Sequence, residues 1–214
     1  MLTAQPLHPE LHVYLEEHAQ ESERIPAQRQ TELQHLAELL AEQHRAHHRL
    51  DLLFVCTHNS RRSQMGQLWA WAAAQQADIP GVVTHSGGTE GTAFNPRAVA
   101  ALRRAGWPLV QTTFTPNPTY LTSVSDSLAP VQLWSKRFED AAVTPQAFTA
   151  LMVCAEADAA CPVVPGAAAR FSLPYIDPKR ADNTPEEAAA YDATCAEIAR
   201  EMVYLMDEVK QQLQ

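Results

Sequence analysis

The chain has 214 residues, 46% of them hydrophobic and 7% aromatic, enough apolar material for a core and too much for a disordered chain. Its 16 basic and 25 acidic residues leave a formal net charge of −9, which disfavours a nucleic-acid partner because phosphate backbones demand clustered Lys and Arg. No apolar stretch approaches the ~20 residues that span a bilayer, and MLTAQPLHPELHVYLEEH has no basic segment leading into an apolar run, so a cytoplasmic protein without membrane or signal peptide is expected.

Length allows one α/β domain with an appendage, or two small domains. Residues 1–49 read as a helical N-terminal extension, with a first helix near Pro9–Gln20 and a second on which Leu33, Leu36, Ala37 and Leu40 share a face. Pro26 suits the first turn of that second helix. The extension is expected to cover the surface of the domain that follows, residues 50–214. Leu50–Val55 is a short apolar run of buried-strand type, followed by the polar loop CTHNSRRS and a helix bearing Met65, Leu68, Trp69, Ala72 and Ala73. Val82–His85 predicts a second strand and Asn95–Gly106 a second helix, capped by Asn95 before Pro96 and stopped at Gly106. Strand, helix, strand, helix is the order of a parallel sheet with helical crossovers.

Residues 108–147 break this rhythm with frequent Pro, Thr and Ser, and VQLWSKRF within them predicts one strand of a hairpin. Ala150–Val153 predicts a further buried strand ending at Cys154, and Arg170–Tyr175 a last one leading into Asp177-Pro178. The C-terminal helix is expected from a Thr184 cap before Pro185, with Tyr191, Cys195, Ile198, Met202, Leu205 or Met206, and Val209 along its buried stripe. Cys195 is therefore assigned to the core.

The four cysteines, Cys56, Cys154, Cys161 and Cys195, are expected to be thiols in a reducing compartment. Cys154 and Cys161 have six residues between them, outside the short spacing of structural zinc sites, and the His47-His48 pair is remote in sequence, so no metal or other cofactor is expected.

The chemistry-bearing segment is Cys56-Thr57-His58-Asn59-Ser60-Arg61-Arg62-Ser63. A Cys followed after five residues by Arg is common by chance, but here a buried strand ends at the Cys and a helix begins at the Arg. A loop so placed turns successive N–H groups inward, and the helix N-terminus adds partial positive charge. Donors of this kind stabilise an anionic sulfur, and a planar guanidinium grips two oxygens of a tetrahedral anion. Cys56 is thus the candidate nucleophile and Arg62 the oxyanion clamp, with residues Thr57 to Ser63 as the cradle.

LLFVCTHNSRRSQMGQLWA, HSGGTEGTAFNPRAVAALRRAGW and Tyr175-Ile176-Asp177-Pro178 together resemble the low-molecular-weight protein tyrosine phosphatase family, and more closely its thioredoxin-coupled arsenate reductase branch. The resemblance runs in order from about Leu50 to Leu213, the 108–147 insertion excepted. It implies a four-stranded parallel sheet flanked by helices, with the phosphate loop after the first strand. It also implies that Ser63 hydrogen-bonds the Cys56 sulfur, that Asn59 shapes the loop, and that Asp177 is the general acid.

Within that resemblance Cys154 and Cys161 match the two further cysteines of the reductases. It implies that Cys56 attacks arsenate, Cys154 attacks Cys56 to expel arsenite, and Cys161 attacks Cys154 to present a disulfide to thioredoxin. The relay requires a mobile segment around 154–166. The alternative is a phosphatase acting on phosphotyrosine or a small aryl phosphate with Cys56, Arg62 and Asp177 alone. Arg61 replaces a second loop cysteine of many phosphatases, and Gln67 replaces the Glu of the potassium-stimulated reductases. Trp134 in the insertion is a candidate pocket wall, and a bulky wall suits an aryl phosphate better than arsenate.

Overall fold

A computed structural model describes residues 6–143, 147–161 and 163–214. Residues 1–5 of the expected extension, 144–146 of the expected insertion and Pro162 of the segment expected to move lie outside the described residues.

The elements run α1 (Pro9–Ala19), α2 (Ala27–His47), β1 (Leu50–Cys56), α3 (Arg62–Gln76), β2 (Val82–Gly88), α4 (Pro96–Arg104), β3 (Val110–Gln111), β4 (Tyr120–Thr122), β5 (Val131–Leu133), β6 (Phe148–Met152), α5 (Ala155–Ala160), β7 (Ala167–Ser172) and α6 (Glu187–Leu213). The main sheet has four strands in the order β2-β1-β6-β7, every pair parallel. β1 is buried along its whole length, as expected of a central strand covered on both faces. Its polar Asp51 is tied to Arg49 by two hydrogen bonds of 2.8 and 3.0 Å. Cys56 ends this strand, so the following loop opens at the carboxyl edge of the sheet, where ligands of open α/β sheets bind.

α3 differs from the expected one-sided helix. Residues 62–70 are buried without interruption, Gln64 and Gln67 included, because the helix lies between the sheet, α6 and α1. Small side chains at Ala70, Ala72, Ala73 and Ala74 permit that enclosure, and Gly66 is required by it: a Cβ there would stand 2.5 Å from the Phe54 ring.

α1 and α2 cover the domain and extend its core. Leu11, Leu15, Leu33, Leu36 and Leu40 are fully buried in one cluster with β1 and with Tyr191, Ile198, Met202 and Val209 of α6. Pro26 precedes α2 as its cap instead of entering its first turn. The 108–147 stretch holds a separate three-stranded antiparallel sheet, β3-β4-β5, in place of a simple hairpin.

Three boundaries shift from expectation. β2 continues to Gly88, because Gly87 and Gly88 extend its pairing with β1. β7 occupies Ala167–Ser172 and stops short of Tyr175, although Leu173 and Tyr175 still donate to the Met152 and Val153 carbonyls at 2.9 and 3.2 Å. α6 begins at Glu187 because Thr184 is engaged in a preceding turn, its hydroxyl donating to the Ala181 carbonyl at 2.8 Å. Asn95 caps α4 as expected, its side chain accepting from the Arg97 N–H at 2.9 Å.

Gly106 joins the extension to the domain. It has φ +96°, and a Cβ there would stand 2.8 Å from the Glu10 Cβ on α1. Gly106→Ala should therefore destabilise the protein by about 1–3 kcal/mol through backbone strain and displacement of α1. Urea unfolding checks this, and an unchanged midpoint would contradict the close docking of α1.

Candidate active site

The loop after β1 is held from outside by its own carbonyls. The Cys56 carbonyl accepts from the Thr89 N–H at 3.1 Å and that of Thr57 from the Glu90 N–H at 2.8 Å. The His58 carbonyl takes the Ser135 hydroxyl at 2.8 Å, the Asn59 carbonyl the Gln64 side-chain amide at 3.1 Å, and the Ser60 carbonyl the Asn95 N–H at 2.9 Å. None of the N–H groups of residues 57–61 donates to a described residue, which leaves them for an anion on the loop's inner side.

Two residues make the turn possible. Asn59 adopts the left-handed conformation at φ 45°, which an Asn tolerates better than most side chains. Its side-chain amide donates to Ser63 Oγ at 2.9 Å, while its Oδ1 accepts from Gln64 Nε2 at 3.1 Å and the Lys136 N–H at 3.0 Å. Gly88 on β2 has no room for a side chain, since a Cβ would stand 2.7 Å from both the Asn59 nitrogen and the Thr57 carbonyl oxygen.

Within this frame the Cys56 sulfur lies 3.0 Å from Ser63 Oγ, the contact expected to support a sulfur anion. Arg62, the first residue of α3, is buried and donates to Asp177 Oδ2 at 2.8 Å and to the Tyr175 carbonyl at 2.9 Å. A guanidinium carries five N–H donors, so this pairing leaves others for an oxyanion. Arg61 also approaches Asp177 Oδ2, at 3.4 Å, which joins both arginines to the same carboxylate. Asp177 caps the short turn Pro178–Ala181, its Oδ1 accepting from the Lys179 N–H at 3.0 Å. The Asp-Pro pair is thus a turn cap and, through Oδ2, a neighbour of the loop.

Cys154 and Cys161 bracket α5. Cys154 is buried at its N-terminal end, its sulfur accepting from the Ala157 N–H at 3.3 Å and lying 3.5 Å from the Thr57 hydroxyl. Cys161 is partly exposed at the other end, where its thiol donates to the Val163 carbonyl at 3.1 Å. Arg170 on β7 closes this segment by donating to the carbonyls of Cys161 at 3.2 Å and Asp158 at 2.8 Å. Cys195 is elsewhere, fully buried beside Trp69, and burial pushes its thiol up to about 12.

Sequence reasoning missed several supports of the loop. Ser135 and Lys136 come from the irregular insertion, where no periodic signal marks them. Lys136 lies over the Trp134 ring, 4.4 Å from its centre, and burial brings its ammonium down to about 8. Trp134, the candidate pocket wall, presents its carbonyl to Gln64 Nε2 at 3.0 Å and its ring to that ammonium. Gln67 donates to the Thr84 carbonyl at 3.1 Å. Among the described residues no three His, Cys, Asp or Glu side chains gather to hold a metal ion, and no helix is long and apolar enough to cross a membrane.

No protein-family model matches the chain. The arsenate reductase of Bacillus licheniformis is 31% identical over 140 residues, a span of 65% of this chain and 82% of that protein. The arsenate reductase of Bacillus subtilis is 29% identical over an equal length with the same coverage. Among solved structures, a low-molecular-weight phosphotyrosine phosphatase from Vibrio cholerae matches with a TM-score of 0.50, over 74% of this chain and 95% of its own. At 18% identity that is a likeness of fold.

The contrast between buried Cys56 and buried Cys195 is testable. Iodoacetamide at pH 6 should label Cys56 well before Cys195, and inorganic phosphate should protect Cys56. Peptide mapping by mass spectrometry reads both, and equal labelling indifferent to phosphate would remove the loop from consideration.

Proposed function

The chain belongs to the low-molecular-weight protein tyrosine phosphatase family, on its arsenate reductase side, and from that premise we propose that it reduces arsenate to arsenite through a relay of Cys56, Cys154 and Cys161. The observation that carries this reading is the position of Cys154, whose sulfur lies 3.5 Å from the Thr57 hydroxyl, on the residue next to Cys56. A phosphatase has no use for a thiol there.

In the proposed cycle the Cys56 thiolate bonds to the arsenic of arsenate, held by the loop amides and Arg62. Asp177 gives a proton to the departing oxygen, which leaves as water. The Cys154 thiolate then bonds to the Cys56 sulfur. The sulfur–arsenic bond breaks, its electron pair stays on arsenic, and arsenite leaves as the two-electron-reduced product. Cys161 next attacks Cys154, freeing Cys56 as a thiol and moving the disulfide to a partly exposed position, where thioredoxin supplies the two electrons that restore the dithiol. The exchange demands that Cys154 leave its contact with the Ala157 N–H and turn its sulfur to Cys56 in disulfide geometry, with Cα atoms within ~7 Å.

One observation also favours hydrolysis of aryl phosphates. Asp177 and Arg62, paired at 2.8 Å beside Cys56, would serve an acid-assisted phosphoryl transfer that water completes. The first step is the same, and the two readings part at Cys154.

Cys161→Ser separates them. This variant should release one arsenite per chain and then stall with a Cys56–Cys154 disulfide, while any aryl-phosphate hydrolysis continues. Mass mapping after a single turnover checks the pairing, and sustained turnover with thioredoxin in this variant would exclude the relay.

A further inference from the structure

Arg29 links the α2 helix to the proposed acid segment. Arg29 is partly buried, with 13% of its side chain exposed, between α6 and the strand-like segment after β7. Its Nε lies 3.0 Å from both carboxylate oxygens of Glu201 on α6, and one terminal nitrogen lies 3.1 Å from Glu32. The other terminal nitrogen donates to the Pro174 carbonyl at 2.9 Å, and the guanidinium carbon stands 5.2 Å above the centre of the Tyr175 ring.

That grip falls just before the residues that meet Arg62. The Tyr175 carbonyl accepts from one Arg62 nitrogen and Asp177 Oδ2 from the other, at 2.9 and 2.8 Å. Beyond β7 the segment keeps two backbone hydrogen bonds to the end of β6, from Leu173 to Met152 at 2.9 Å and from Tyr175 to Val153 at 3.2 Å. Pro174 between them has no N–H to donate, and its carbonyl accepts from Arg29. The Tyr175 ring is buried under the same guanidinium. Burial, reinforced by the Glu201 carboxylate, raises its hydroxyl well above the usual tyrosine range, so the ring remains neutral and stays in the core.

We infer that Arg29, carried by the N-terminal extension and oriented by Glu201, is a positioning residue that fixes the Pro174–Asp177 segment and thereby the distance of the Asp177 carboxyl from the loop. The inference rests on the reading of Asp177 as the acid. It gives α2 a part in the chemistry beyond burying Leu33, Leu36 and Leu40. The geometry suits Arg and not Lys, because one planar fork must serve a carboxylate, a carbonyl and an aromatic face together.

Arg29→Met alone would strand the buried Glu201 carboxylate and could unfold the chain, so the test uses Arg29→Met/Glu201→Gln, which removes both charges. Two readouts are taken: amide hydrogen exchange at Lys179, whose N–H is capped by Asp177, and the ratio of rates on phenyl phosphate and 2,4-dinitrophenyl phosphate. The first substrate needs a proton donor and the second does not. The double variant should exchange faster at Lys179 and lose about tenfold on phenyl phosphate while nearly keeping the dinitrophenyl rate, since small displacements of a catalytic group cost at least that much. Arg29→Lys should keep the charge balance and still shift the ratio. Unchanged exchange at Lys179 overturns the inference, as does a rate ratio that Asp177→Asn shifts and the double variant does not. Faster exchange in a protein whose ratio Asp177→Asn also leaves untouched would overturn the reading of Asp177 and leave the Arg29 anchor standing.

Discussion

Five consecutive carbonyls, from Cys56 to Ser60, are hydrogen-bonded to groups outside the loop, and the rest of the site depends on that arrangement. A short loop has as many N–H donors as carbonyl acceptors, and buried groups of either kind need partners. With the acceptors satisfied by Thr89, Glu90, Asn95, Gln64 and Ser135, the loop donors are left without partners among the described residues. The partners come from β2's end, from α3 and from the insertion, so the cradle is a product of the whole sheet edge. The α3 N-terminus at Arg62 brings positive charge to the same loop, which is what the proposed oxyanion site requires.

The same edge links the loop to the two segments that would complete a reaction. On one side, Arg62 and Arg61 converge on Asp177, which also caps its own turn, so the carboxylate is held at both oxygens. On the other, Cys154 closes over Thr57 at the N-terminal end of α5. The first connection suits any displacement at phosphorus or arsenic. The second places a thiol where the proposed relay needs one, and it is there that the two readings part. α5 is short, and Arg170 on β7 ties down its far end, so the proposed exchange would have to work against that restraint on Cys161.

Much of this was legible in the residues. The apolar run at Leu50–Val55, the polar loop and the Asn95-Pro96 cap place the strand, the cradle and the next helix, because each is a local signal. The Ser63 contact to Cys56 and the shaping role of Asn59 also follow the family resemblance. What the sequence hid is long-range. Arg29 reaches Glu201 across 172 positions and Pro174 across 145, and nothing in the polar face of α2 distinguishes Arg29 from its neighbours. Ser135 and Lys136 belong to a segment without periodicity, whose short strands are defined by pairing with each other. The start of α6 shifted because Thr184 is held in a preceding turn by hydrogen bonds to the Ala181 carbonyl, which a hydrophobic pattern does not record.

The central claim is that an oxyanion bound at Cys56 is reduced at the expense of this chain's own thiols. The direct measurement is a single incubation of the fully reduced protein with excess arsenate and no added reductant, followed by arsenic speciation and titration of free thiols. The account predicts one arsenite formed per chain and the loss of two of the four thiols, with Cys56 recovered free and Cys154 joined to Cys161. Four intact thiols and no arsenite, in a protein that hydrolyses aryl phosphate, would contradict it.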